Sequence, residues 1–289
     1  MARRPRSRGG RLVTVTSDVG SAYAAQMKAA LIFGGVAPAQ VVDLAHDLPA
    51  HGLREAAFLL REMARGFPPF TVHLAVVDPG VGGRRAPIAI DTRSGPFLVG
   101  PDNGVLVPLA EELGMRTAYR IDPTKLRRRP PVGTTFEGRD VFAPAAALLA
   151  GGVRPSALGP ATVPRPYSVP EAIRRRAGAR GEVLHVDRFG NLITNVPSRW
   201  VGPEVAQLTL TTGQRRERTV PWVTSYESLG RGVLGTLGSS FGLVEVTVGE
   251  GRAADTLRAG VGSTVGLAWR RRSEARTENA NSVRPRKRR

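Results

Sequence analysis

Apolar and polar positions along the first 150 residues switch between two periods. "RLVTVTS" (11–17) is the β-branched run of a buried strand, and "SAYAAQMKAALIFGG" (21–35) places Tyr23, Met27, Ala30 and Leu31 at helical spacing before a glycine stop. "QVVDLA" (40–45) reads as a second strand. "GLREAAFLLREMARGF" (52–67) follows as an amphipathic helix with Leu53, Ala56, Ala57 and Leu60 on one face, and "TVHLAVV" (71–77) as a third strand. "PIAID" and "PFLVG" form a pair across "TRSG", and "NGVLVPLAEELG" and "DVFAPAAALLAGG" read as helices. Strand–helix alternation of this kind predicts an α/β domain over 11–160, with a mostly parallel sheet and helices on both faces.

Beyond residue 152 the texture changes. A stretch dense in Pro, Gly and Arg predicts a linker over 161–180. After it come short β-like runs, among them "GEVLHVD", "NLITNV", "AQLTLTT", "GLVEVTVG" and "STVGLAW", with no room for long helices. These predict a smaller C-terminal β-barrel-like domain over 181–269.

Composition narrows the function classes. The chain has 289 residues, 41% of them hydrophobic, which is enough for a sizeable core, and no cysteine, which removes disulfides, thiolate catalysis and cysteine zinc sites. The histidines, His46, His51, His73 and His185, lack close ligand spacing, so no metal site is expected, and His73 falls inside a strand pattern as a core histidine. No apolar run reaches the ~18 residues of a membrane span. The first residues lack the apolar segment of a secretory signal, so a cytoplasmic location is expected. The net charge is +18, but its placement matters more than its size. Residues 1–11 carry five arginines and no acid, and residues 270–289 carry nine basic residues against Glu274 and Glu278, so the ends hold 12 of the 18 charges. Disordered basic tails over 1–10 and 270–289 follow, able to touch nucleic acid without specificity. With aromatics at 6%, the core offers no stacking platform for bases.

The candidate chemistry gathers at strand ends. "LVTVTSD" ends at Asp18, "VVDLAHD" offers Asp43 and Asp47, and "VHLAVVD" ends at Asp78. Ligands of open parallel sheets bind beyond the carboxyl ends of the strands, although an Asp there serves equally as a helix cap. "DPGVGG" then turns sharply, so that Arg85 can return over the same edge to Asp78. A guanidinium beside a carboxylate suits activation of water, and also suits a plain loop clamp. "TTFEGRDVFAP" adds Glu137, Arg139 and Asp140. "HVDRFGNLITN" offers Asp187, Phe189 and Asn191 at a β turn, where Phe189 can stack on a base and Asn191 can pair with an adenine edge.

Taken in order, "TSDVG", "VVDLAHDLP", "VHLAVVDPGVGGRR", "GPDNG", "TFEGRDVFAPAAALLA", "VDRFGNLITN" and "LGSSFGLVEV" resemble the S-adenosylmethionine hydroxide adenosyltransferase family, water-using relatives of fluorinase and chlorinase. The resemblance covers roughly residues 11–269. It implies hydrolysis of S-adenosylmethionine to adenosine and methionine, with no cofactor. It also implies a homotrimer whose ligand lies between the large domain of one subunit and the small domain of the next. By position, Asp78, Arg85 and Glu137 would form the water-activating triad, and Asp18 would bind the ribose hydroxyls. Phe136 and Gly138 would line the substrate, and Asp187 would meet the methionine ammonium. Phe189 and Asn191 would face the adenine, and Ser239 or Ser240 would hold the methionine carboxylate.

Two departures stand out. The family's usual third triad member is a histidine, replaced here by Glu137, which can accept a proton but cannot become a cation. "SDVGSAY" is shorter than the family's loop after Asp18. The halogenase relatives lack the Asp of "DPGVG", and a negative Asp78 would repel halide, which favours water. The alternatives are an adenosyl-ligand binder without catalysis, a halogenase-like enzyme, and a nucleic-acid protein acting through its tails.

Overall fold

The computed structural model describes residues 10–126, 135–202, 205–212 and 217–271. Both predicted basic tails therefore lie almost wholly outside the described residues. The chain divides into two compact units, one up to Val169 and one from Pro170.

The first unit contains β1 (Val13–Ser17), α1 (Gly20–Phe33), β2 (Val41–Ala45), α2 (Leu53–Ala64), β3 (Val72–Val76), β4 (Pro87–Thr92) and β5 (Phe97–Pro101). It continues with α3 (Val107–Glu112), β6 (Met115–Arg120), α4 (Ala143–Ala150) and β7 (Ala161–Thr162). Its seven-stranded sheet runs β2-β1-β3-β5-β4-β6-β7. The α/β reading holds, but the sheet is mixed. β2, β1, β3 and β5 are parallel, while β4, β6 and β7 pair antiparallel. The cause is local: the four-residue link "RSGP" (93–96) between β4 and β5 is too short for a parallel crossover, which needs a dozen or more residues.

Alternation along the strands sorts the side chains. Val13, Val15, Val72, Leu74 and Val76 pack with Met27 and Leu31 of α1 and with Ala143, Ala146 and Leu149 of α4. The opposite phase carries Thr14 and His73, buried and hydrogen-bonded to each other at 2.8 Å (Thr14 Oγ1 to His73 Nδ1). Phe67, just past α2, meets the His73 ring edge-on at 6.1 Å between centroids. Burial pushes the His73 pKa down to about 4, so this core histidine is neutral.

The second unit contains β8 (Ile173–Arg175), β9 (Gly178–Val186), β10 (Leu192–Pro197), β11 (Val205–Thr212) and β12 (Glu217–Pro221). β13 (Leu234–Gly238), β14 (Leu243–Val248), α5 (Ala253–Leu257) and β15 (Thr264–Arg271) complete it. The antiparallel path β12-β11-β15-β9-β10-β14-β13 has its two ends joined by a single bridge, Trp222 to Thr236, which leaves a nearly closed barrel. Leu192, Val196, Val244, Val246 and Val248 point into its core. The Pro-, Gly- and Arg-rich stretch 161–180 contains β7 and β8 and the first residues of β9.

Among the described residues, no helix is long and apolar enough to cross a membrane.

Candidate active site

Asp18 and Asp78 leave neighbouring parallel strands at one edge. Ser17 of β1 is in register with Val76 of β3, so the acids lie one and two residues past the same line. This is the carboxyl edge, where helix-covered parallel sheets place ligands.

The turn after β3 brings the basic arm back. Val81 N donates to the Asp78 carbonyl at 3.3 Å and Gly83 N to that of Gly80 at 2.9 Å. Gly82 takes φ +73°, a conformation open to glycine at little cost. Arg85 thus lies over Asp78, its Nε donating to Oδ1 and Oδ2 at 3.0 and 2.9 Å and its Nη2 also donating to Oδ2. Glu137 Oε2 stands 2.5 Å from the same Nη2, at ion-pair distance but outside hydrogen-bond alignment, and has no hydrogen-bond partner among the described residues. Burial acts to lower the Arg85 pKa, but the hydrogen bonds to Asp78 and the adjacent negative charges of Asp78 and Glu137 outweigh it and hold the guanidinium above its usual value. The Phe142 ring lies beneath it, 5.2 Å from Cζ. The side chains of Asp78 and Arg85 are 5% and 10% exposed and that of Glu137 25%, so one edge of the cluster is open.

Glu137 owes its position to an irregular helix. Residues Gly138–Phe142 form a π turn that runs into α4. Pro144 has no N–H for the helix ladder, and such turns relieve that loss. Gly138 is required by contact: a Cβ there would stand 2.7 Å from Met27 Sδ and 3.0 Å from the Phe136 ring. Phe136 meets Tyr23 edge-on at 5.2 Å. Arg139 and Asp140, also candidates, pair with each other at 2.7 and 2.8 Å.

Two further parts of this edge involve Asn103, Ser17, His46 and Lys28, which carried no role in the sequence reading. Asn103 of "GPDNG" donates to the Val77 carbonyl at 2.8 Å and accepts from Val105 N at 3.2 Å, which pins the backbone just before Asp78. Ser17, His46, Asp43 and Lys28 form a chain at the ends of β1 and β2. Ser17 Oγ meets His46 Nδ1 at 2.8 Å, His46 Nε2 meets Asp43 Oδ1 at 2.9 Å, and Lys28 donates to Asp43 Oδ2 at 2.8 Å. Asp43 is thus spent on His46 and Lys28, which, despite its burial, hold its pKa below the ordinary value. Asp18 accepts from His51 N at 3.0 Å.

The second unit holds the other candidates. Asp187 closes the turn after β9. Gly190 N donates to its carbonyl at 2.9 Å, and Oδ1 and Oδ2 accept from Asn191 N and Nδ2 at 2.8 and 2.9 Å. Asn191 is 5% exposed, and its Oδ1 also accepts from Thr247 Oγ1 at 2.6 Å. One amide hydrogen and one lone pair of the Asn191 amide oxygen are thus taken by Asp187 and Thr247, which leaves the amide one further hydrogen and one further lone pair. Phe189, 73% exposed, remains free to stack. Ser239 closes the β13–β14 turn, its N donating to the Leu243 carbonyl at 2.8 Å, with the exposed Ser240 beside it.

Among the described residues, no group of three His, Cys, Asp or Glu could hold a metal ion.

Family models match over most of the chain: the SAM hydroxide adenosyltransferase N-terminal domain at residues 13–159 and the C-terminal domain at 181–266. An (R)-S-adenosyl-L-methionine hydrolase of Thermus thermophilus is 41% identical over 266 residues, covering 89% of this chain and 99% of that protein. One of the same name from Methanocaldococcus jannaschii is 35% identical over 192 residues, 64% of this chain and 66% of that one. A crystal structure of an uncharacterized conserved protein from Thermotoga maritima superposes with TM-score 0.81 at 29% identity, covering 89% of this chain and 100% of that one. Two models matching the two units in order, together with such relatives, lead to one conclusion: this chain belongs to the SAM hydroxide adenosyltransferase family.

Proposed function

We propose that this protein hydrolyses S-adenosylmethionine to adenosine and methionine, with water attacking the ribose 5′ carbon beside Asp78, Arg85 and Glu137. The observation that carries the proposal is the Arg85 guanidinium held between two carboxylates, one of them ending in a buried oxygen without a hydrogen-bond partner among the described residues. In the step, a C5′–O bond forms as the C5′–S bond breaks. The sulfur keeps the electron pair and leaves as neutral methionine. The proton lost by water passes to a carboxylate.

Glu137 in place of histidine alters the electrostatics of this step. Two carboxylates and one guanidinium carry a net charge of −1 where a neutral imidazole would leave zero. A net negative pocket disfavours a preformed hydroxide or a halide. It favours general-base transfer, in which water stays neutral until the C–O bond forms. The sulfonium of the substrate is a cation, so the same field favours its binding. Arg85 fixes both carboxylates and cannot itself lose its proton at working pH.

The remaining roles belong to the same reading: Asp18 at the ribose hydroxyls, Phe136 and Gly138 lining the substrate, Asp187 at the methionine ammonium, Phe189 and Asn191 at the adenine, and Ser239 or Ser240 at the methionine carboxylate. So do assembly as a homotrimer, a cytoplasmic location, and at most nonspecific nucleic-acid contact by the basic ends. A sedimentation measurement giving three times the chain mass supports the trimer, and a monomer overturns it.

Incubation with S-adenosylmethionine in heavy-oxygen water, with and without chloride, tests the reaction. The expected product is adenosine labelled at the 5′ oxygen, unchanged by chloride and lost in Asp78→Ala. A 5′-chloro product, or binding without turnover, would overturn the hydrolytic reading.

A further inference from the structure

The mechanism leaves unused a buried acid in the second unit, Glu245. It is 3% exposed and sits in the middle of β14. Its neighbours Val244, Val246 and Val248 point into the barrel core, so Glu245 and Thr247 share the opposite face of the strand. Thr247 is the end of the hydrogen-bond chain through Asn191 to Asp187. Glu245 is one pleat from that chain. It is equally close in sequence to the turn at Ser239, because β14 begins at Leu243, the residue that closes the turn. The register agrees: Glu245 pairs with Ile193, two residues past Asn191 and on the same side of β10.

The partners of the two acids are also informative. Glu245 Oε1 accepts from the Tyr226 hydroxyl at 2.7 Å, and among the described residues the Asp187 carboxylate accepts from Asn191 alone. Among the described residues neither acid has a lysine or arginine at ion-pair distance; Arg252, which packs against Gly190, is paired with Asp255 at 3.1 Å. Buried carboxylates ordinarily acquire a cationic partner, because desolvation is otherwise uncompensated. Burial raises the Glu245 pKa, and the charge of Asp187 adds to it, so the two acids feel each other.

Resting on the proposed function, in which Asp187 meets the methionine ammonium, we propose that Glu245, held by Tyr226, is a positioning residue of that subsite. It supplies a second negative charge behind Asp187 and makes the subsite selective for a substrate with a cationic amino group. The substrate's ammonium then completes a subsite that the described residues leave without a cation. Such a residue acts on binding and not on bond making, because it is remote from the sulfonium and the 5′ carbon along the methionine.

The test compares S-adenosylmethionine with its analogue lacking the α-amino group, in the full-length protein. Glu245→Gln keeps the shape and an acceptor for Tyr226 and removes the charge. KM for S-adenosylmethionine is expected to rise by about tenfold with kcat nearly constant, while KM for the deamino analogue changes less than about twofold. Glu245→Asp, which keeps the charge, should restore most of the discrimination. Equal KM changes for both substrates, or none, overturn the proposal. Should Glu245→Gln fail to fold, Tyr226→Phe decides: a changed ratio of the two KM values supports it, and an unchanged ratio overturns it. Asp187→Asn separates the two levels of inference. If that variant leaves the ratio unchanged, the underlying assignment of Asp187 fails. If it collapses the ratio while Glu245→Gln does not, only the role of Glu245 fails.

Discussion

The acids of the two units are held in opposite ways. In the first unit Asp78 and Glu137 flank one arginine, which cancels one of their two charges on the spot. In the second, Asp187 and Glu245 are held by neutral donors, an amide and a phenol. The contrast teaches a division of labour. A guanidinium between carboxylates fixes geometry for proton transfer, whereas carboxylates held by neutral groups keep their charge for a cation that arrives from outside.

Breaking the first cluster should have the largest effect. Asp78→Ala removes the acceptor that aligns Arg85, and adenosine formation should fall by roughly 10³-fold or more, with the circular dichroism spectrum unchanged. Glu137→Gln removes one proton acceptor but keeps the shape, and a loss of about 10²-fold in kcat is expected. Glu137→His should retain far more activity than Glu137→Gln. If Gln and Glu are equivalent in single-turnover assays, Glu137 is a clamp and not a base.

Acid should affect the stability of the units in opposite directions. The His73 pKa is depressed in the folded state to about 4 from an ordinary 6.5. Between those values the unfolded chain binds the extra proton, so the first unit loses stability as pH falls through that window. The loss totals about 3 kcal/mol, since each unit of pKa is worth about 1.4 kcal/mol. Glu245 is shifted upward from 4.5, so its folded form binds the extra proton, and the second unit loses stability as pH rises above 4.5. Hydrogen exchange resolved by region, from pH 7 down to 4.5, should show β1 and β3 losing protection while β14 holds or gains it. Parallel behaviour of the two regions would contradict this contrast.

The smallest effect belongs to the cation-binding side. Asp187→Asn should raise KM for S-adenosylmethionine by about 30-fold, or ~2 kcal/mol, with little change in kcat. A fall in kcat with KM unchanged would move Asp187 from binding to chemistry.

Much of the first site was legible because its parts are local. Asp78, the Pro-Gly turn and Arg85 span eight residues, and the conformations of Pro and Gly dictate that the chain doubles back. The placement of Glu137 against Arg85 was not legible locally, because 51 residues intervene and the link is a π turn packed on Met27. The bond from Thr247 to the Asn191 amide oxygen was not legible, because the local signal, a β turn, is the same whether or not a residue 56 positions on reaches it. Glu245 drew no attention because in sequence it is simply the polar phase of an alternating strand.

The sequence by itself determined the two units, the strands with acids at their ends, the sharp return of Arg85 and, through ordered motifs, the family. These depend on side-chain periodicity and backbone preference over a few residues, which act before distant parts meet. Only the tertiary structure decided that the large sheet is mixed, that one guanidinium bridges two carboxylates, and that Asn191, Asp187 and Thr247 form one chain beside Glu245. Those outcomes depend on strand order, register and burial, which are set when segments far apart in the chain exclude water together.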